Sequence, residues 1–122
     1  MGTFSVKMRL LPWQSRNGKK PLEVKALVDC GSFYSWAPAS ALRKLGVKPR
    51  ETVEGELANG TIITKEVGQI EVEVQGKRTI TWIIFGDEGT EPLLGALTLE
   101  ELGFEVSPRN KQLIPIKVFP LK

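Results

Sequence analysis

The sequence predicts a single, mostly β domain that spans residues 1–122. Segments rich in Val, Ile, Thr and aromatic residues recur along the chain and are separated by Gly, Asn and Pro, which is typical of strands joined by turns. Residues 69–75 (QIEVEVQ) alternate apolar and polar side chains, as in a strand with one buried face. The 122 residues are enough for one hydrophobic core and too few for two ordinary domains.

Six segments have the composition of strands, namely residues 3–11, 22–28, 61–67, 68–75, 78–85 and 112–118. The basic stretch 16–20 (RNGKK) contains an Asn-Gly pair, so we expect a solvated hairpin loop there more than a phosphate-binding loop. A second pair, Asn59-Gly60, predicts another tight turn, and the sequon at 59–61 is interpreted as that turn and not as a glycosylation site.

Two short helices are predicted between these strands. The first covers residues 38–45, with Pro at its start and Gly46 after its end. In the second, Thr98 and Glu101 have the spacing of a capping box ahead of Gly103. Both helices end in Leu-Gly, which suggests a duplicated half-domain, although a Leu-Gly stop is also common by chance.

The composition excludes several kinds of enzyme. With no histidine and one cysteine, the chain can form neither an internal disulfide nor a Ser-His or Cys-His dyad. A zinc site is disfavoured for the same reason, and we expect no metal and no cofactor. The net charge of +3 comes from interspersed acidic and basic residues, which predicts solubility and no nucleic-acid partner.

The apolar segments also bear on location. No apolar run approaches the roughly 20 residues that cross a bilayer, so we predict no membrane partner. Charges within the first apolar region argue against a secretory signal. A lone cysteine fits a reducing compartment, and we therefore predict a cytoplasmic protein.

The candidate catalytic residue lies in the stretch 26–32 (ALVDCGS), where an apolar segment ends in an acid. Asp29 is followed by Gly31, which allows a sharp turn and a close approach of the backbone to a reacting group. The other aspartate, Asp87, lies in a Gly-rich stretch typical of an exposed turn. From these residues alone, Asp29 is either a catalytic carboxylate or a turn aspartate that accepts hydrogen bonds from local amides.

Three motifs in order resemble the retropepsin-like aspartic proteases, over roughly residues 5–118. The stretch 26–32, with the downstream Ser35, Pro38 and helix end at 45–47, resembles the family's active-site loop, in which apolar residues precede Asp-Thr-Gly-Ala/Ser. Leu93-Leu94-Gly95, ahead of the second helix, resembles the family's hydrophobic-hydrophobic-Gly motif. The residues that fall where the family has its flap hairpin are Ala58, Asn59, Gly60 and Thr61.

The resemblance implies a closed barrel-like β lobe that acts as a symmetric homodimer and hydrolyses peptide bonds as an aspartic endopeptidase. Members of the family use two aspartates that share a proton, one to activate water and one to polarise the scissile carbonyl. Here only Asp29 is in the family's position, so the second carboxylate would be the partner subunit's Asp29. The substrate would be a peptide or protein. The alternative is a dimeric binding or scaffold module that keeps the fold without turnover.

The residues that follow Asp29 qualify this resemblance. Cys30 replaces the family's Thr or Ser, and a thiol is a weaker hydrogen-bonding group. Because the chain has no histidine to activate it, we expect Cys30 to be a small scaffold side chain and not a nucleophile. Ser32 either donates to the outer oxygen of the carboxylate or bonds its own backbone. Phe33, Tyr34 and Trp36 line a substrate subsite or belong to the core.

Overall fold

The computed structural model describes residues 4–13 and 20–122, and strands predominate in them. In chain order the elements are β1 (Ser5–Leu11), β2 (Leu22–Val28), β3 (Ser35–Pro38), α1 (Ala39–Lys44), β4 (Glu51–Glu56), β5 (Ile62–Val74), β6 (Lys77–Gly86), β7 (Leu93–Leu94), α2 (Ala96–Leu102), β8 (Phe104–Ser107) and β9 (Gln112–Pro115). The prediction of a mostly β chain with two short helices is confirmed for these residues. None of their helices is long and apolar enough to cross a membrane.

Pairing in the larger sheet returns to its first strand. The seven strands follow the order β1-β2-β7-β3-β6-β5-β4, and β1 pairs with β5 as well as with β2. Six strands therefore form a continuous ring of pairings, from which β4 extends as the last strand in the order. The buried apolar side chains of these strands form one core with those of both helices, β8 and β9, and those with no exposed surface include Met8, Leu10, Ile70, Ile83 and Leu94.

β5 is one strand of 13 residues, which corrects the prediction of separate strands at 61–67 and 68–75. Gly68 does not interrupt this strand. Its lack of a side chain allows close packing instead. A Cβ at Gly68 would lie 2.8 Å from the Lys48 carbonyl oxygen and 3.0 Å from side-chain atoms of Val47 and Phe85. The alternation predicted for 69–75 is confirmed, since Ile70, Val72 and Val74 are buried and the residues between them are not.

The predicted strand at 22–28 is confirmed without change, and the first predicted strand begins later than expected, at Ser5. Residue 3, where that prediction began, lies outside the described residues. So does most of the predicted hairpin loop at 16–20, of which only Lys20 is described. The strands on either side of this stretch are antiparallel partners, with Leu10 opposite Leu22.

Four strands were not predicted, and a fifth is shorter than predicted. β3, β4, β7 and β8 are short, and each is defined by hydrogen bonds to partners elsewhere in the chain. β7, for example, has only two residues. β9 ends at Pro115 and not at residue 118, and a proline has no N–H with which to continue a ladder.

α1 lies close to its predicted position and ends as predicted at a glycine. Gly46 has a φ of 82°, its N–H donates to the Arg43 carbonyl at 3.0 Å, and the Val47 N–H donates to the Leu42 carbonyl at 3.0 Å. This pair of bonds with a left-handed residue is the Schellman ending of a helix.

α2 begins two residues earlier than the predicted capping box, so that prediction is wrong. Gly95 is the residue before the helix, and no side chain caps its first turn. Thr98 lies inside the helix, fully buried, and its hydroxyl bonds to those of Ser35 and Thr81. A hydroxyl with partners on two neighbouring strands is not available to the amides of its own helix, which is why the spacing misled the sequence interpretation.

Candidate active site

Asp29 is the first residue after β2 and is half-buried. Its N–H donates to the Leu94 carbonyl at 3.0 Å, and its carbonyl accepts the Ser32 N–H at 3.2 Å. The carboxylate oxygen Oδ1 accepts the N–H of Gly31 at 3.0 Å. Hydrogen bonds to Leu94 of β7, and to two residues that follow Asp29 in the turn, therefore fix both the backbone and the carboxylate of Asp29.

Gly31 meets a steric requirement beside that carboxylate. A Cβ on this residue would lie 3.2 Å from Asp29 Oδ1, closer than most real Cβ contacts. A larger residue here would push the carboxylate away from the amide that holds it. The local bond from the Gly31 amide to the carboxylate is the one that the turn interpretation of Asp29 predicts.

β7 and the start of α2 hold the far side of the loop. Leu93 and Leu94 pair in parallel with Leu27 and Val28, at the end of β2. A Cβ at Gly95 would lie 2.4 Å from the carbonyl oxygen of Tyr34. The structure thus brings together the two predicted motifs at 26–32 and 93–95.

Two backbone amides of α2 complete this contact. The Ala96 N–H donates to the Ser32 carbonyl at 2.8 Å, and the Leu97 N–H donates to the Phe33 carbonyl at 3.0 Å. These are among the N–H groups that a helix start leaves without partners in its own backbone. The Asp29 loop supplies the missing acceptors.

The side chains after Asp29 take different positions. The Ser32 hydroxyl donates to the Tyr34 carbonyl at 2.8 Å, so within this chain it bonds its own backbone and not the carboxylate. Cys30 is an exposed free thiol. Phe33 is 60% exposed and contacts the Tyr34 ring edge-on at 4.9 Å between centroids, which excludes Phe33 from the core.

A buried cluster of hydroxyls behind the loop was missed by the sequence analysis. Ser35 Oγ lies 2.7 Å from Thr98 Oγ1, which lies 2.9 Å from Thr81 Oγ1. Ser35 Oγ also accepts the Gly95 N–H at 3.0 Å. Ser35 was singled out only as part of a motif and Thr81 was given no role, although a threonine within the apolar run 80–85 is a signal that a buried hydroxyl needs a partner.

The predicted turn at Asn59-Gly60 is present and joins β4 to β5. Leu57 and Thr61 pair through an N–H to carbonyl bond of 2.8 Å, and the Asn59 side chain accepts the Thr61 N–H at 2.9 Å. Only Gly60 has a positive φ, 86°, so the loop has three residues and is not the two-residue type I′ turn that Asn-Gly pairs favour. The four predicted residues 58–61 are exposed.

A cavity of about 70 Å³ lies between this hairpin and the body of the domain. Tyr34 and Trp36 line it from the side of the Asp29 loop, together with Ile84 of β6, and Val53 and Ile63 line it from the hairpin. Two of the three aromatic residues singled out in the sequence therefore face the space under the hairpin.

A larger cavity of about 410 Å³ lies away from Asp29, among charged residues of α1, β5 and the end of β6. At its edge Glu88 accepts the N–H and the hydroxyl of Ser40, at 3.1 and 2.7 Å. The hydroxyl bond, then the amide bond, and more weakly the Arg43 charge hold the pKa of the Glu88 carboxyl below its usual range. In residues 4–13 and 20–122, no three His, Cys, Asp or Glu side chains are grouped so as to hold a metal ion.

Comparisons with known proteins agree with this geometry. The solution structure of Simian Foamy Virus (mac) protease matches with a TM-score of 0.56 and 16% sequence identity, over 80% of this chain and 93% of that one. At this identity the match shows similarity of fold alone. No curated protein matches the sequence significantly.

The model of the aspartyl protease family matches residues 15–97, which include Asp29 and the 93–95 motif. With that match over more than half of its length, and with a retropepsin-like fold, the chain belongs to the aspartyl protease family.

Proposed function

We propose that this chain is an aspartic endopeptidase in which Asp29 is the catalytic carboxylate. The observation that carries the proposal is the fixation of Asp29 from two sides, by the Leu94 carbonyl on its amide and by the Gly31 amide on its carboxylate. A carboxylate held in this way is preorganised, and preorganisation lowers the entropic part of a reaction barrier.

The proposed active form is a symmetric homodimer. Hydrolysis by carboxylates alone needs one group that accepts a proton and another that donates one, and each chain offers one carboxylate in the family's position. A two-fold axis beside the loop would place Asp29 next to the partner subunit's Asp29. In this proposal residues 1–122 are a single domain, and the ring of paired strands is the closed, barrel-like lobe of each subunit.

The reaction follows from two carboxyl groups that share one proton. The ionised carboxylate takes a proton from water as the water oxygen bonds to the scissile carbonyl carbon. The protonated carboxyl gives its proton to the carbonyl oxygen, which forms a neutral tetrahedral diol. When the diol collapses, the C–N bond breaks as the carboxyl that took the proton from water gives it to the nitrogen. The other carboxylate takes a proton from a diol hydroxyl, so a new carboxyl and an amine are released and the pair again shares one proton. No metal and no cofactor takes part.

The hairpin tip at Ala58, Asn59, Gly60 and Thr61 is proposed to close over the bound peptide as a flap. The exposure of these four residues, and the cavity of about 70 Å³ under the strands that lead to them, support this role. Gly31 is proposed to hold the Asp29 carboxylate through the bond from its N–H to Oδ1, and Cys30 to shape the loop. Leu93, Leu94 and Gly95 are proposed to support the loop. A cytoplasmic location stays a prediction.

The second candidate function is a dimeric binding module that does not cleave peptides. Cys30 favours it, because a thiol gives a weaker bond than the hydroxyl that the family has at this point.

The test is digestion of a peptide library at several pH values by the wild type and by two matched variants. We expect the wild type to cleave, pepstatin to inhibit it, and Asp29→Asn to lose about 10³-fold or more of its kcat, since an amide cannot accept the proton from water. Asp87→Asn is the control, because it changes the only other aspartate, which is 86% exposed and pairs with Lys65. Turnover by Asp29→Asn equal to that of Asp87→Asn would refute the assignment. A folded wild-type dimer that cleaves nothing would favour the binding module.

A further inference from the structure

Three buried hydroxyl groups form a hydrogen-bonded chain across the elements that hold the Asp29 loop. Ser35 belongs to β3, Thr98 to α2 and Thr81 to β6, and their exposed fractions are 0%, 0% and 1%. Adjacent hydroxyl oxygens lie 2.7 and 2.9 Å apart, within hydrogen-bond distance. These hydrogen bonds join α2 to both β3 and β6.

The hydroxyl chain reaches the loop through Gly95, whose N–H donates to Ser35 Oγ. On one side of Gly95, the Leu94 carbonyl accepts the Asp29 N–H, and on the other, the Ala96 N–H donates to the Ser32 carbonyl. The position of Gly95 therefore sets two of the backbone bonds that fix the loop.

Stability gives little reason for three polar groups here, because replacing paired buried hydroxyls by apolar side chains of the same shape can be nearly neutral. In residues 4–13 and 20–122, no buried side-chain nitrogen or oxygen is left without a partner. A fully paired network admits one relative arrangement of its members, whereas apolar contacts tolerate sliding.

We propose that Ser35, Thr98 and Thr81 are positioning residues, which set the place of the first turn of α2 and through it the orientation of Asp29. The inference rests on the proposed function of Asp29. It assigns to these hydroxyls a role in turnover that is separate from their role in holding the fold.

The test compares Thr98→Val, which removes the hydroxyl and keeps the shape, with Thr98→Ser, which restores the hydroxyl. Ile70→Val is the control, because it removes a methyl group from the core at a fully buried position of β5, outside the hydroxyl chain. For each protein we measure kcat and KM on a peptide that the wild type cleaves, the free energy of unfolding, and hydrogen exchange of the Asp29 and Ala96 amides. We expect Thr98→Val to lower kcat about tenfold with little change in KM and to speed exchange at both amides, because small displacements of a reacting group cost rate.

Thr98→Ser should recover most of the kcat, and Ile70→Val should keep it even where the loss of stability is comparable. Wild-type kcat and wild-type exchange in Thr98→Val would overturn the inference, as would an equal loss of kcat in Ile70→Val. If Thr98→Val does not fold, Thr81→Val is judged by the same criteria, because Thr81 is the last of the three hydrogen-bonded hydroxyls and has one hydroxyl partner instead of two. If the proposed function is wrong, the wild type itself shows no turnover, which is a different result. Hydrogen exchange of the Asp29 and Ala96 amides then still tests the inference, and wild-type exchange in the variants would overturn it.

Discussion

A Cβ at position 95 would lie 2.4 Å from the Tyr34 carbonyl oxygen and 2.8 Å from that of Ser32. Both oxygens belong to backbone that follows Asp29, and the Ser32 carbonyl already accepts the Ala96 N–H. Neither oxygen can move aside without changing the loop. The glycine of the 93–95 motif is thus a steric requirement of the fold around Asp29.

Gly95→Ala is expected to lower the free energy of unfolding by about 2 kcal/mol or more, as overpacking against fixed atoms does. Turnover should fall as well, because the loop must shift. Gly55→Ala is the control, since no atom lies within 4 Å of a Cβ added there and its φ is not positive; its stability should change by less than about 0.5 kcal/mol. Denaturant unfolding measures both, and equal stabilities would contradict the steric argument.

Glu88 provides a prediction on pH. The Ser40 hydroxyl and amide lower the pKa of its carboxyl in the folded chain, and the unfolded chain lacks these bonds. The interaction therefore stabilises the fold above the ordinary pKa of glutamate, and this stability is lost as the pH falls through the lowered pKa. Wild type should be more stable than Glu88→Gln near neutral pH, and the difference should shrink as the pH falls below the ordinary pKa of glutamate. In an NMR titration, Ser40→Ala should raise the pKa of Glu88, and an unchanged pKa would refute the assignment of the cause.

At the scale of elements, strands that are specified by their own side chains were predictable and those specified by distant partners were not. β2 and the second half of β5 carry clear apolar patterns and were predicted at the right positions. β7 has two residues and is a strand only because β2 and β3 lie on either side of it. No local pattern can encode such a segment.

In the candidate site, too, some features were predictable from the sequence and others were not. The family resemblance singled out both the stretch at 26–32 and the 93–95 motif, and the structure brings them together. The hydroxyl chain was not expected, because Thr98 looked like a helix cap when only its own neighbours in sequence were considered. Its true partners, Ser35 and Thr81, lie 63 and 17 residues away.

A substitution at the tip of the β4–β5 hairpin tests whether this element is a flap. Gly60→Val forces a branched residue to a φ of 86°, which costs about 1 kcal/mol and distorts the tip. If the tip is a flap, KM should rise or kcat fall by about tenfold, with little change in the unfolding of the rest of the domain. Gly76→Val is the control, because Gly76 has a φ of 83° in the turn between β5 and β6. Equal kinetics for the two variants and the wild type would mean that the hairpin is not a flap.

At the scale of the whole molecule, one chain supplies one carboxylate in the family's position and an exposed thiol beside it. In a symmetric dimer with Asp29 on the axis, the two Cys30 residues would lie near each other. A pair of hydroxyls at that point would make stronger hydrogen bonds than a pair of thiols.

Sedimentation of the wild type is therefore expected to give about twice the mass of one chain. Cys30→Thr should tighten the dimer by about 1 kcal/mol, the typical net value of one hydrogen bond. Cys30→Ala, which can form no such bond, should not tighten it. The dissociation constants of the three proteins check this, and a strict monomer at high micromolar concentration would rule out the two-carboxylate mechanism.

The hydrogen bond from the Asp29 amide to the Leu94 carbonyl joins the loop to a segment that is synthesised later. A chain that has left the ribosome only as far as β6 already carries Asp29, but it lacks both β7 and the amides of α2 that hold the loop. Pairings between such distant segments make β proteins fold slowly, in about milliseconds to seconds. A nascent chain of this protein therefore carries Asp29 before it has the backbone that holds the Asp29 loop, and the loop is expected to take its ordered form only once α2 has been made.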